Sequence, residues 1–436
     1  MINLNIITDK RYPGNHGELY ANELYVAHLA ACGLVGILPE EPHASCNWEK
    51  VYYLAGWNSI TGLTWHAAKR LTSLPGKLRE QWEQSANQTA MRRLQYEAER
   101  EAIIDALLER GVSVAKLKGA SLERLYPHYD MRSVADNDLL YGYVVKDERD
   151  QWHAEGEDGL REGARQRAYI QVNAVMEKLG YIYEHYGSLS ETNDSRYVKP
   201  PCLCFEMHHA LIGNKPEDII DLGDPWPMCR ICDESPKGAL GHLFEMTWEA
   251  EYLYCIAHAY KHPGAGVRFL ADLWLMRTAR KAGTDWELAD NMLKDFGLSG
   301  YERRMRHLAE AVFGELPLSE DDVATLAHMV EGGSFGSGKD RVLHDVNRFV
   351  MRGNVHPRLA YISELLSPDR GQPTDRLKLL AHQKVTRLVF PAIKLVWLMG
   401  KTARQPKEMF SKISALLFDA RCCESSSRND CDGQMS

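Results

Sequence analysis

The helical period of this chain breaks off at Gly111, and the stretch that follows constrains the fold more than any other. From Leu78 to Arg110 apolar residues return at helical spacing, with Leu94, Ala98, Ile104, Leu107 and Leu108 as the expected buried face and Gly111 as the terminator. Val112 to Leu117 is short and β-branched at Val112 and Val114, which predicts a strand, and Lys118-Gly119 turns it into a helix over Ala120–Tyr126. Ala135–Val145 (ADNDLLYGYVV) predicts a second strand. An acidic, glycine-bearing loop over 147–159 leads to a helix, Arg161–Leu179, which Gly180 caps. Two more strands, Tyr181–His185 and Leu203–His209, flank a polar, hairpin-like stretch ending at Pro200-Pro201. Strands interleaved with helices rule out a helical bundle for this part of the chain, so its middle is α/β.

The flanks are helical. Glu18–Cys32 carries a stripe of Leu19, Leu24, Ala27, His28 and Ala31, with Gly33 as a stop. Past a loop-rich region over 38–57 and the α/β middle, helical patterns return at Leu240–Tyr260, Val267–Lys281, Trp286–Phe296 and Tyr301–Val312, then more weakly to about Phe418. No fixed-period repeat is present, which excludes a solenoid. The expected layout is α+β: a helical N-terminal extension (1–85), an α/β core (86–235), an all-helical C-terminal domain for substrate or partner (236–420) and a disordered tail (421–436).

Charge narrows the partners. With 52 Lys and Arg against 60 Asp and Glu the net charge is -8, which gives no whole-chain affinity for nucleic acid or membranes. The one local anomaly is 376–407, which holds eight Lys or Arg and no acid, so the rest of the chain carries -8 minus 8, or -16. Such a basic amphipathic segment can lie on an anionic membrane surface as a peripheral contact or hold RNA; a solvated helix face is the plainer reading. No window supplies the ~20 apolar residues of a spanning helix. The N-terminal residues lack the apolar run of an export signal, so a cytoplasmic chain with its ten cysteines reduced is expected.

The sharpest chemical signal is Asp136-Asn137-Asp138 on the second strand. Alternation points Asp136 and Asp138 the same way, ~7 Å apart, and two parallel carboxylates repel unless a cation sits between them. Mg²⁺, or Mn²⁺ in its place, is the natural candidate because it takes oxygen ligands and is shared with substrate phosphates. Glu206, on a neighbouring predicted strand, is placed to add a third carboxylate. The alternative is a solvated strand end. Lys118, Gly119 and Ser121 form a strand-to-helix turn of the kind that cradles a phosphate, although the spacing of a P-loop is absent and an ordinary junction is the plainer reading.

Taken together, Leu117-Lys118-Gly119-Ala120-Ser121, Leu125-Tyr126-Pro127, Arg132 and Asp136-Asn137-Asp138-Leu139-Leu140 resemble the signature of the bacterial "uncharacterised nucleotidyltransferase" family, a branch of the polymerase-β-like nucleotidyltransferase superfamily. Glu206-Met207-His208 is similar to its E-L-H strand, Arg268–Leu273 to its R-L-x-x-D-L helix, and Gly332–Gly336 to its G-G-T-F-G loop, in the family's order over roughly 94–399. The resemblance implies a mixed-sheet nucleotidyltransferase core. It also implies transfer of an NMP from an NTP to an acceptor, whether small molecule, peptide or protein. By position it makes Asp136, Asp138 and Glu206 the metal ligands and catalytic acids, and Lys118, Gly119, Ser121 and Arg132 the nucleotide contacts. Three departures stand out: Gly119-Ala120 replaces the usual Gly-Gly or Gly-Ser pair, polar Asn137 sits between the acids, and the 147–159 loop is longer and more acidic than the family norm. A catalytically silent nucleotide- or peptide-binding module is the alternative function.

Two weaker patterns remain. His258 and His262 are four apart on a helix, but Ala259 stands where a zinc protease needs glutamate, so that reading fails; the alternative is that both imidazoles face the substrate cleft with Arg268 and Asp272, and structural histidines are the plainer account. Cys202, Cys204, Cys229 and Cys232 would make a zinc site only with C-x-C as one half, a poor match, and free buried thiols are expected instead.

Overall fold

The structure is a computed structural model that describes residues 19–134, 137–156, 161–184, 192–201, 203–212, 220–261, 266–279 and 283–336. The chain divides into two compact units, Met1–Ser337 and Gly338–Ser436, and every described residue lies in the first. The basic stretch 376–407 and the tail 421–436 fall outside the described residues.

Four helices come first: α1 (Ala21–Val35), α2 (Trp48–Trp57), α3 (Thr61–Ala68) and α4 (Gly76–Leu108). The sheet region follows, with β1 (Ser113–Lys116), the short α5 (Lys118–Leu122), β2 (Asn137–Gly142), β3 (Val144–Lys146), β4 (Trp152–Ala154) and α6 (Arg161–Lys178). Next come β5 (Ile182–Glu184), β6 (Asp194–Lys199), β7 (Leu203–His208), β8 (Cys229–Ile231) and β9 (Leu243–Met246). Then α7 (Trp248–Lys261), α8 (Val267–Thr278), α9 (Trp286–Asp295), α10 (Ser299–Phe313) and α11 (Glu320–Gly332) complete a mixed α+β unit.

Seven strands form one mixed sheet in the order β5-β6-β7-β2-β1-β9-β8, while β3 and β4 make a separate hairpin. β2 runs parallel to β7 and antiparallel to β1, and β1 runs parallel to β9. Strand alternation sorts the side chains onto two faces. Val114, Leu139, Tyr141, Phe205 and Met207 pack against α4 and α6. Ala115, Leu140, Phe244 and Met246 belong to a larger core shared with α1–α3 and α7–α11. Asp138 and Glu206 lie on this second face, beneath α7.

Several sequence expectations change here. The helix expected from Leu240 begins only at Trp248, because Leu243–Met246 is strand β9. That strand lies between β1 and β8 and buries Leu243, Phe244 and Met246, so it reads as an apolar run without alternation and merges with the helix behind it. α1 does not stop at Gly33 and has no single apolar stripe: it runs to Val35, and every residue from Glu23 to Leu34 is buried, Glu23 and His28 included, so it is covered on all sides. Gly33 is needed for close packing, since a Cβ there would lie 2.0 Å from the carbonyl oxygen of Leu63 on α3. Along α4 the buried stripe is Arg93, Tyr96, Arg100, Ile103 and Leu107, while Leu94 is exposed. Two of those positions are arginines with acidic or amide partners, which an apolar pattern cannot reveal.

Candidate active site

The register of β2 on β7 sets Asp138 opposite Glu206 and Leu140 opposite His208. His208 is two residues beyond Glu206 on the same strand and so shares its face. The three side chains converge: ligand atoms of Asp138, Glu206 and His208 all lie within 4.8 Å of one another. His208 Nε2 stands 3.3 Å from Asp138 Oδ1 and 3.9 Å from Glu206 Oε2. Asp138 is 1% exposed, whereas Glu206 is 27% exposed and opens the cluster toward solvent.

Lys118 enters from the other side. β1 ends one residue before Leu117, whose amide donates to the main-chain oxygen of Asp138 at 3.1 Å and so fixes where the next side chain starts. The Lys118 ammonium lies 3.0 Å from Asp138 Oδ2 and 2.7 Å from Nε2 of His258, which α7 brings over the sheet. Since the ammonium can only donate, that His258 nitrogen accepts. Burial would raise the Asp138 pKa, but the Lys118 charge and the His208 hydrogen bond outweigh it and hold the carboxyl well below the usual range. For His208, burial lowers the pKa, yet the hydrogen bond and charge of Asp138 prevail and raise it.

The donor set suits a divalent ion. Asp138 Oδ2 is buried and, although paired in charge with Lys118, accepts no hydrogen bond among the described residues. Two carboxylates match Mg²⁺ or Mn²⁺, and the imidazole is a donor that Mn²⁺ accepts more readily than Mg²⁺. Asp136 and His262 lie outside the described residues.

The other predicted nucleotide contacts are occupied within the fold. α5 spans only Lys118–Leu122, and the Ser121 hydroxyl donates to the buried Glu251 carboxylate of α7. Arg132 is buried and grips Asp272 of α8 with two nitrogens, at 2.9 and 3.0 Å, while its third donates to the Gly119 carbonyl at 3.2 Å. Tyr126 donates to the same Asp272 at 2.8 Å, and Arg268, one turn earlier on α8, donates to the Ser133 carbonyl at 3.2 Å. The structure thus brings Lys118, Asp138 and Glu206 together and places Arg132 beneath the Lys118-Gly119 turn, where it ties that turn to α8. Buried Asn137 accepts from Arg100, which also donates to Glu123; its amide nitrogen has no hydrogen-bond partner among the described residues.

Sequence reasoning missed His208 as a member of the cluster and the Lys118–His258 contact. The first was signalled by strand alternation, which places residues 206 and 208 on one face; the second joins residues 140 apart and had no local signal. Cys204, Cys229 and Cys232 form no disulfide, and Asp138, Glu206 and His208 are the one group with metal-ligand geometry among the described residues. Burial pushes the Cys229 thiol up to about 12, which disfavours the thiolate a zinc site requires. Cys202 lies outside the described residues.

A mixed sheet carrying facing acids beside a strand-turn-helix lysine, roofed by helices, is consistent with a nucleotidyl-transferring core. The chain belongs to the uncharacterised nucleotidyltransferase family, whose profile matches residues 44–144 and 164–314. The match starts before and ends ahead of the resembling span read from the motifs, and Gly332–Gly336 lies beyond it. Its interruption at 145–163 coincides with the long acidic loop. No curated protein and no solved structure matches the chain. Among the described residues no helix is long and apolar enough to cross a membrane.

Proposed function

We propose that this protein is a divalent-metal-dependent transferase that moves an NMP from an NTP to an acceptor hydroxyl. The observation that carries the reading is the in-register facing of Asp138 and Glu206 on parallel strands, with Asp138 held ionised by its neighbours. Asp136, Asp138 and Glu206 would hold Mg²⁺ or Mn²⁺, with His208 as a further donor; the ion would neutralise charge developing on the phosphates. Lys118 would move from Asp138 to the NTP phosphates as the ion arrives. Gly119 and Ser121 shape the turn that presents Lys118, and Arg132 acts through that turn as a positioning residue.

In the reaction the acceptor oxygen bonds to the α-phosphorus, the bond to the bridging oxygen breaks, and pyrophosphate leaves with that electron pair. The hydroxyl proton passes to Glu206, which is more solvent-accessible than Asp138. The test is incubation of the full chain with each α-labelled NTP, Mg²⁺ or Mn²⁺ and a cell extract. Label transferred by the native protein and lost in both Asp138→Asn and Glu206→Gln supports the reading. Transfer that survives both substitutions would show that the chemistry lies elsewhere, and no transfer with any NTP would favour a silent binding module.

A further inference from the structure

A groove of about 1140 Å³ lies between α2, the first half of α4 and the segment leading into β2. One wall is aromatic. Tyr53 and Trp57 sit four apart on α2 with rings 10° from parallel and centroids 6.3 Å apart, and they are 62% and 46% exposed. The indole is fixed by donation from Nε1 to the Glu331 carbonyl at 3.1 Å, so this flat surface is held in place. The facing wall is amide-rich: Gln84, Asn87 and Gln88 lie at helical spacing on the exposed side of α4, opposite the side that buries Trp82.

We propose that this groove binds an uncharged, polyhydroxylated chain, an oligosaccharide, as the acceptor of the transfer; the acceptor assignment rests on the function proposed above, while the binding assignment does not. Each amide offers two donors and a carbonyl acceptor, the mixture that neighbouring hydroxyls need, and a fixed aromatic surface covers the apolar C–H face of a sugar ring. Charge argues against polyanions: the one cation of the lining, Arg92, is outnumbered by Glu80 and Glu83, whereas a nucleic-acid groove is lined with several Lys and Arg. The volume exceeds the roughly 300–1,000 Å³ of ordinary small-ligand sites, which favours an extended occupant over a single ring. The groove also ends at Val134, four residues before Asp138 and therefore at most roughly 14 Å from it along the chain. On this proposal the acceptor hydroxyl is presented from that end of the groove toward Glu206, the acid that opens to solvent.

The experiment is binding of the fluorescently labelled full chain, without nucleotide, to an array of neutral and charged oligosaccharides, with Tyr53→Ala, Gln84→Ala/Gln88→Ala and Asp138→Asn run alongside. The native chain and Asp138→Asn should retain the same neutral glycans. Tyr53→Ala and the double amide variant, all at exposed positions, should weaken them by about tenfold with an unchanged melting curve. Retention of no glycan, retention unaffected by these variants, or preference for sulfated or phosphorylated glycans would overturn the assignment. If neutral glycans bind but receive no NMP while the cell-extract assay shows transfer, the groove reading stands and the acceptor assignment falls; if neither assay shows transfer, the transferase reading falls as well.

Discussion

Replacing Lys118 by methionine keeps an unbranched side chain, one atom shorter, and removes the charge from beside a carboxylate that is 1% exposed. At the observed 3.0 Å, and with the effective dielectric of about 20 that suits such sites, the pair is worth ~5–6 kcal/mol of gross Coulomb energy. The variant recovers the desolvation of an ammonium that is 17% exposed, several kcal/mol by itself, and His208 remains as a second counter-charge. The net loss should be about 2–4 kcal/mol, a fall of several °C in a thermal melt recorded in EDTA. The same change removes a competitor for Asp138 Oδ2. Mn²⁺ should therefore restore more stability to Lys118→Met than it adds to the native chain, with ~2.7 kcal/mol expected when the ion reaches a hundredfold its dissociation constant. Melting curves with and without Mn²⁺, and the free Mn²⁺ signal in electron paramagnetic resonance, read both effects. Equal stability of the two proteins in EDTA would refute the ion-pair argument, and equal Mn²⁺ affinity would refute the idea that Lys118 and the metal share one carboxylate.

Three further outcomes follow from the geometry. Arg132→Ala strands Asp272 in the interior and should cost about 3–5 kcal/mol in urea unfolding, with Arg132→Ala/Asp272→Ala less damaged than the two single losses summed, as a double-mutant cycle will show. Gly33→Ala forces a methyl against the Leu63 carbonyl and should lose about 3 kcal/mol, whereas Gly300→Ala, on α10 with open space around it, should gain ~0.5–1 kcal/mol. His28 accepts from the Glu40 amide, and burial lowers its pKa from 6.5 to about 4. Below pH 6.5 the unfolded chain takes up a proton that the folded chain refuses until about pH 4, so stability should fall by about 3 kcal/mol across that window, and His28→Gln should flatten the acid limb of stability measured against pH.

Much of the site's placement was legible because it obeys strand alternation. Asp138 and Glu206 were expected on neighbouring strands, and β2 and β7 do pair with the two residues opposite each other. The turn at Lys118 and the terminator at Gly111, with φ +76, followed from equally local rules. Hidden features were those decided by partners far away in sequence. The arginines that α4 buries look like surface residues until Glu123 and Asn137 are seen beside them. Strand β6 carries only Tyr197 and Val198 as apolar residues, β8 is three residues long, and both owe their state to the neighbours they pair with. Arg132 resembles a phosphate ligand in sequence, and only the packing of α8 shows its three nitrogens already engaged.

The burial of α1 on all sides has a kinetic consequence. Its neighbours include α10 and α11, so the helix that begins at Ala21 waits for residues from Ser299 onward before its apolar surface is covered. At translation rates of about 5–20 residues per second, that gap of roughly 280 residues keeps α1 without its final partners for about 15–55 s. A growing chain that carries so apolar a helix depends on early cover from α3 or on a chaperone, and synonymous codons that slow synthesis between α4 and α10 should lower the yield of soluble protein.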